Sequence, residues 1–171
     1  MVRRRPYQLL PLGLLCGFLL VSPAIAQDNL AKLELRFGQE NDPVRKARAF
    51  PPLGEARINV IREHVRREDY QQGLKTLEQY RDEARIVFGG LKKSGIDAEK
   101  KSNGFRQLQI HLRRTVRQLT EIITTILFEE REPFEAIRKE MDQMDRELIN
   151  MLFPRQPGAK IEKPAKSGRM Q

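Results

Sequence analysis

FRQLQIHLRRTVRQLTEIITTILFEEREPFEAIRKEMDQMDRELINMLF, residues 105–153, carries one helical rhythm along its whole length. Phe105, Leu108, Leu112, Val116, Leu119, Ile123 and Ile126 advance by threes and fours, and Phe134, Ile137, Met141, Met144, Leu148 and Met151 resume in phase. That spacing lines one face of a helix. Only Glu130 breaks the stripe. Apolar area removed from water is worth roughly 25 cal/mol per Å², so so long a stripe must lie against other helices or a second chain. The reading is an all-α protein.

Composition agrees. Leu, Ile, Arg, Glu, Gln and Lys are plentiful, aromatics are 6% of the chain and Trp is absent, a set of residues with good helix propensity. The net charge of +9 resembles that of a nucleic-acid binder until it is divided by segment. Residues 1–26 hold Arg3, Arg4 and Arg5 and no acid, and residues 154–171 hold five bases against Glu162, which leaves residues 27–153 at +2. The basic excess belongs mainly to the ends. A near-neutral body and an exported chain argue against nucleic acid as a partner.

The first 26 residues read as an export signal. Arg3 to Arg5 form a positive start, Leu9 to Val21 an apolar segment, and Ala24-Ile25-Ala26 a pair of small residues before a cut ahead of Gln27. The apolar segment falls short of the roughly 20 residues that span a bilayer, and its tripartite order is that of a cleaved signal peptide. Export to the periplasm or secretion follows. Cys16 lies inside this apolar segment with Leu15 before it, so the mature protein has no cysteine. Neither a disulfide framework nor a thiol nucleophile is then available.

Between these ends the helices are separated by local signals. Leu30, Leu33 and Phe37 fit one face of a short helix, while Leu33, Leu35 and Phe37 fit a strand equally well; the helix is the reading taken. Asp42-Pro43 marks a start, because Asp caps free amides and Pro is tolerated at the first helical position. Val44, Ala47, Phe50, Gly54, Ile58, Ile61 and Val65 share a face, interrupted by Pro51-Pro52, which must kink or divide the helix. At Arg66-Arg67-Glu68-Asp69 the charge changes sign in the order that suits two helix dipoles, so a tight turn is expected there. The next helix carries Leu74, Leu77, Ala84, Val87 and Leu91 and closes at Ser94-Gly95. A third is expected after Asp97 and a fourth after a turn near Glu132-Pro133, with a single helix kinked at Pro133 as the alternative. The domain from 27 to 153 is thus expected to be an antiparallel helical bundle of about four helices, as two hairpins. Residues 154–171, rich in Pro, Gly, Lys and Ser, read as a disordered basic tail.

A weak internal echo accompanies the two hairpins. Residues 67–70 and 131–134 correspond, and at the same offset Leu77, Tyr80, Ala84 and Val87 align with Met141, Met144, Leu148 and Met151. Glu68-Asp69-Tyr70-Gln71-Gln72-Gly73-Leu74, followed by Leu77 and Tyr80, resembles the turn and second helix of a tetratricopeptide repeat across residues 57–88. Tyr80 stands where that repeat has a small residue. The resemblance implies a helical scaffold that binds peptides or proteins, and no chemistry.

The residues for chemistry are few. His64 and His111 are the only histidines, and both read as solvated surface imidazoles, with no Ser, Cys and acid arranged for nucleophilic catalysis. No Glu-x-x-His pair or paired histidines on one helical face offer a metal site, and no glycine-rich phosphate loop follows a strand. The expectation is a non-enzymatic protein without a cofactor. Lys100, Lys101, Arg106, Arg113, Arg114 and Arg117 form a basic run with no acid among them, a candidate contact for an anionic envelope polymer or membrane surface. It also faces, in sequence, an acidic block from Glu129 to Glu147, and the two blocks are expected to pair. Three functions are therefore open: a protein-interaction scaffold of the cell envelope or secretome as the leading one, a periplasmic holdase, and a basic module that binds anionic polymer.

Overall fold

The computed structural model describes residues 24–154, with side chains from residue 29 onward. The segments expected to be an export signal and a disordered basic tail lie outside these residues except at their inner boundaries. Among the described residues every regular element is helical: α1 Ala24–Gln39, α2 Pro43–Arg66, α3 Tyr70–Lys93, α4 Asn103–Thr124 and α5 Arg131–Leu152. The all-α class is as expected, but the helices number five rather than about four. The additional one is α1, whose Leu33 and buried Phe37 pack on the core, with the Phe37 ring 5.8 Å from that of Phe50 on α2.

Two hairpins make up the body. α2 turns back into α3 and α4 into α5, and the two hairpins then lie side by side in the same polarity. Val44 and Gly104 touch near the starts of α2 and α4, while Glu55 meets Arg114 and Gln118 further along the same two helices. On the other layer Arg85 pairs with Glu140 and Lys92 with Glu147, so α3 and α5 also run together. Gly104 permits the α2–α4 approach, since a Cβ there would stand 3.2 Å from the Val44 backbone. The apolar stripe read in the sequence forms the shared core: Phe105, Leu108, Leu112, Leu119, Phe134, Met141 and Leu148 are almost wholly buried.

Local chemistry explains the boundaries. Asp42 caps α2 by accepting the Arg45 amide at 2.7 Å, with Pro43 behind it. The helix continues through Pro51 and Pro52, so of the two expected outcomes, a kink or a division, division does not occur. Phe50 and Leu53 flank the prolines and are fully buried, so core packing offsets the missing backbone bonds, which cost about 3 kcal/mol for an interior proline. At the α2 end the Asp69 amide donates to the His64 carbonyl and the Glu68 amide to that of Val65, a left-handed cap with Glu68 at φ 59°. Glycine takes that conformation without the Cβ penalty. Glu68→Gly is therefore expected to raise the unfolding free energy by about 1 kcal/mol, read from urea melts, and an unchanged midpoint would contradict it.

The remaining connections depart from expectation in two places. Asp97 does not start α4; its carboxylate accepts the amides of Glu99 and Lys100 in a separate turn, and α4 begins at Asn103. Between α4 and α5 the chain does reverse, which removes the single kinked helix, but it does so at residues 125–130. Arg131 holds this turn by donating to the carbonyls of Ile126 and Thr124 at the α4 end, where a cation suits the dipole. Glu129 and Glu130 thereby precede α5 and favour its positive end, and Pro133 sits in its first turn.

Candidate functional site

α4 positions the basic run, and the six cations part company on it. Arg106, Arg113 and Arg117 stand at intervals of seven and four on one exposed face of the helix. Among the described residues no carboxylate comes within 4 Å of any of the three. Arg114 turns toward α2, where its guanidinium lies 3.3 Å from Glu55. Lys100 is held by Asp97 at 3.6 Å, and Lys101 borders a cleft of about 390 Å³ with Val44, Ile96 and Asn103. The run thus resolves into a three-arginine stripe and three cations committed elsewhere or set apart at the connection.

The expected pairing of basic and acidic blocks is largely replaced. Glu140 and Glu147 on α5 take Arg85 and Lys92 from α3. From α4, Gln109 donates to Asp145 at 2.7 Å, and burial pushes that carboxyl above its usual range despite the Gln109 bond and nearby Arg113. Parallel packing of α3 on α5 brings these opposite charges together, so the arginines of α4 are left facing outward.

Apolar groups that the charge reading passed over adjoin the stripe. Ile110 lies between Arg106 and Arg113 and is 51% exposed; Phe153, just beyond α5, is 67% exposed. One cleft of about 490 Å³ joins them through Arg106, Gln109 and Leu152. A second, of about 420 Å³, opens on the other side of Arg106 and Ile110 beside Asn103 and Gln107. Ile110 falls out of step with Leu108 and Leu112, which was the one available sign that it points away from the core.

Beneath this face lies a buried polar cluster. Tyr80 on α3 is fully buried, and its hydroxyl donates to Thr115 at 3.0 Å and meets His111 Nε2 at 3.1 Å. His111 is 4% exposed, which overturns its reading as a solvated imidazole, whereas His64 is half-buried beside Asp69. His111 occupies the inner face because Leu108 and Leu112 carry it there, and Gly54 on α2 leaves the space for its ring. Burial pushes the imidazole down to about 4, against the opposing pull of Glu55 with its oxygen 3.9 Å from Nδ1.

That depression ties stability to pH with a definite sign. Between about 4 and an ordinary value near 6.5 the unfolded chain binds a proton that the folded chain refuses, so stability is complete above this window and falls as pH drops through it. The difference amounts to about 3 kcal/mol at 1.36 kcal/mol per pH unit. Denaturant melts from pH 7 to 4 should show this loss in the wild type beyond that of His111→Gln, and parallel curves for the two proteins would refute it.

The class defined by this arrangement is an all-α bundle of two parallel hairpins with a leading helix. The chain matches no family model, no curated protein and no solved structure. Among the described residues no three of His, Cys, Asp and Glu stand close enough to share a metal ion, and no helix is long and apolar enough to cross a membrane.

Proposed function

We propose that the chain is an exported, non-enzymatic interaction scaffold of the cell envelope or secretome, cut ahead of Gln27 and holding a protein partner on its helical surface. The observation that carries this reading is the outward face of α4, where three arginines without carboxylate partners flank an exposed isoleucine. Cations and apolar groups presented together on a rigid helix suit recognition of another polypeptide. The side-by-side hairpins are compatible with a tetratricopeptide-like scaffold, in which neighbouring hairpins stack in one polarity. Gly73, the small residue of that resemblance, faces Val65 and Phe134 at ordinary contact distance, with room for a methyl group.

The test is crosslinking in cells with photoreactive residues placed singly on exposed positions of the mature protein. One dominant protein trapped is the expected result. A broad set of unfolded clients would instead favour a holdase, and anionic envelope polymer without protein would favour the basic-module reading. Mass determination of the exported protein checks the cut, and a mass that retains residues 1–26 would overturn it.

A further inference from the structure

We infer that the outward face of α4 is a groove for an acidic amphipathic helix of a partner protein, seated along Arg106, Ile110, Arg113 and Arg117. The inference rests on the scaffold reading and names the chemistry of what the scaffold holds. It begins from charge. Arg45, Arg57, Arg85, Arg114 and Arg146 all reach a carboxylate of their own chain, whereas Arg36, Arg48, Arg62, Arg106, Arg113 and Arg117 are exposed with none within 4 Å among the described residues, and the last three stand on one line of a single helix around the exposed Ile110. Guanidinium groups bind carboxylates through two parallel N–H donors, a stronger and more directional contact than a point charge makes.

Spacing selects a helix. Seven and four residues along α4 set the three arginines on one line of roughly 16 Å, at 1.5 Å per residue. A second helix with carboxylates at the same intervals meets all three from one face. α2 already lies along α4 on the opposite side in the same polarity, so the incoming helix extends an existing layer. Ile110 then separates this occupant from a simple polyanion. It stands between Arg106 and Arg113 with a cleft on either side, one reaching Phe153, and only a ligand with apolar side chains removes that surface from water.

A synthetic helical peptide tests this, with Glu, Leu, Glu and Glu at the spacing of Arg106, Ile110, Arg113 and Arg117 and binding to the mature full chain followed by fluorescence anisotropy. The peptide is expected to bind, with affinity that weakens as salt rises. Replacing its Leu by Gln, or Ile110→Gln in the protein, is expected to weaken binding about tenfold, the worth of one buried aliphatic side chain. Combined R106Q, R113Q and R117Q should weaken it by a further factor of about ten or more, while circular dichroism and melting stay as in the wild type because all three side chains are exposed. Absence of peptide binding overturns the inference. So does equal binding of the Leu-less peptide and of poly-L-glutamate, which would mark a surface for anionic polymer. Photoreactive residues at 110 and at Ile86 on α3 separate the two levels of the argument. A partner trapped from position 86 and never from 110 removes the groove and keeps the scaffold; no protein trapped from these or any other exposed position removes both.

Discussion

Gly54→Ala is expected to destabilise the fold by about 3 kcal/mol, the upper part of the usual range for overpacking. A methyl group there would come within 2.8 Å of His111 Cε1 and 2.9 Å of Tyr80 Cε2, and closer still to His111 Nε2. Neither ring has room to withdraw. Tyr80 is held through its hydroxyl by Thr115 and His111, and Phe50 packs on both, with centroids at 5.4 Å and 5.2 Å. Alanine's better helix propensity, about 1 kcal/mol over glycine, offsets only part of the clash. Removing the nearer obstacle should relieve most of the effect: His111→Ala takes away the two closest atoms and opens space into which the Tyr80 ring can shift, so the added methyl should cost distinctly less in that background, a coupling that a double-mutant cycle reads directly. An unchanged thermal midpoint for Gly54→Ala, or a cost that His111→Ala leaves intact, would refute the account.

Arg57→Met is the second large loss, at about 3 kcal/mol. The Arg57 side chain is 8% exposed and meets Glu83 through two bonds of 2.8 Å and 2.6 Å, Glu34 on α1 at 2.8 Å and Gln79 at 3.2 Å. Methionine fills much of the volume but leaves Glu83, itself 17% exposed, without its cation. Breaking one side of a buried pair costs about 3–5 kcal/mol, and removing both sides costs much less. The partial access of water to Glu83 places the value at the lower end. Glu83→Leu added to Arg57→Met should therefore recover most of the stability. The single substitution should also speed amide hydrogen exchange in α1, because the Glu34 contact joins that helix to α2. Full retention of the melting temperature by Arg57→Met would defeat the prediction.

Helix identity was legible wherever an apolar stripe and a cap agreed. The stripe from Phe105 to Ile126 and its continuation from Phe134 gave α4 and α5, and Asp42-Pro43 and the charge reversal at residues 66–69 gave the limits of α2 and α3. Asp97 misled, because the Asx turn it forms and a helix cap draw on the same side-chain chemistry. Pro51-Pro52 left a kink and a division both open: their cost is local, and the packing of Phe50 and Leu53 that keeps α2 in one piece depends on helices distant in sequence. The site divides in the same way. A basic run was visible, but Arg114 is claimed by Glu55 across a gap of 59 residues, so the free cations emerge only once α2 lies beside α4. His111 had the spacing of a core residue, whereas its partners Gly54 and Tyr80 come from two other helices and no local pattern connects the three.

The Tyr80, His111 and Thr115 cluster also acts as a vernier between the hairpins. Apolar stripes on parallel helices interlock nearly as well after one helix slides by a turn, a shift of 5.4 Å. Such a slip would carry the Tyr80 hydroxyl away from both of its partners, at about 1–3 kcal/mol for an unpaired buried polar group, and drive the His111 ring out of the notch at Gly54 into a side chain. One alignment keeps the Tyr80 hydroxyl bonded to Thr115 and His111 Nε2, and the neighbouring alignments are penalised twice. The arginines and Ile110 on the far side of α4 inherit their fixed height along the bundle from that single permitted setting.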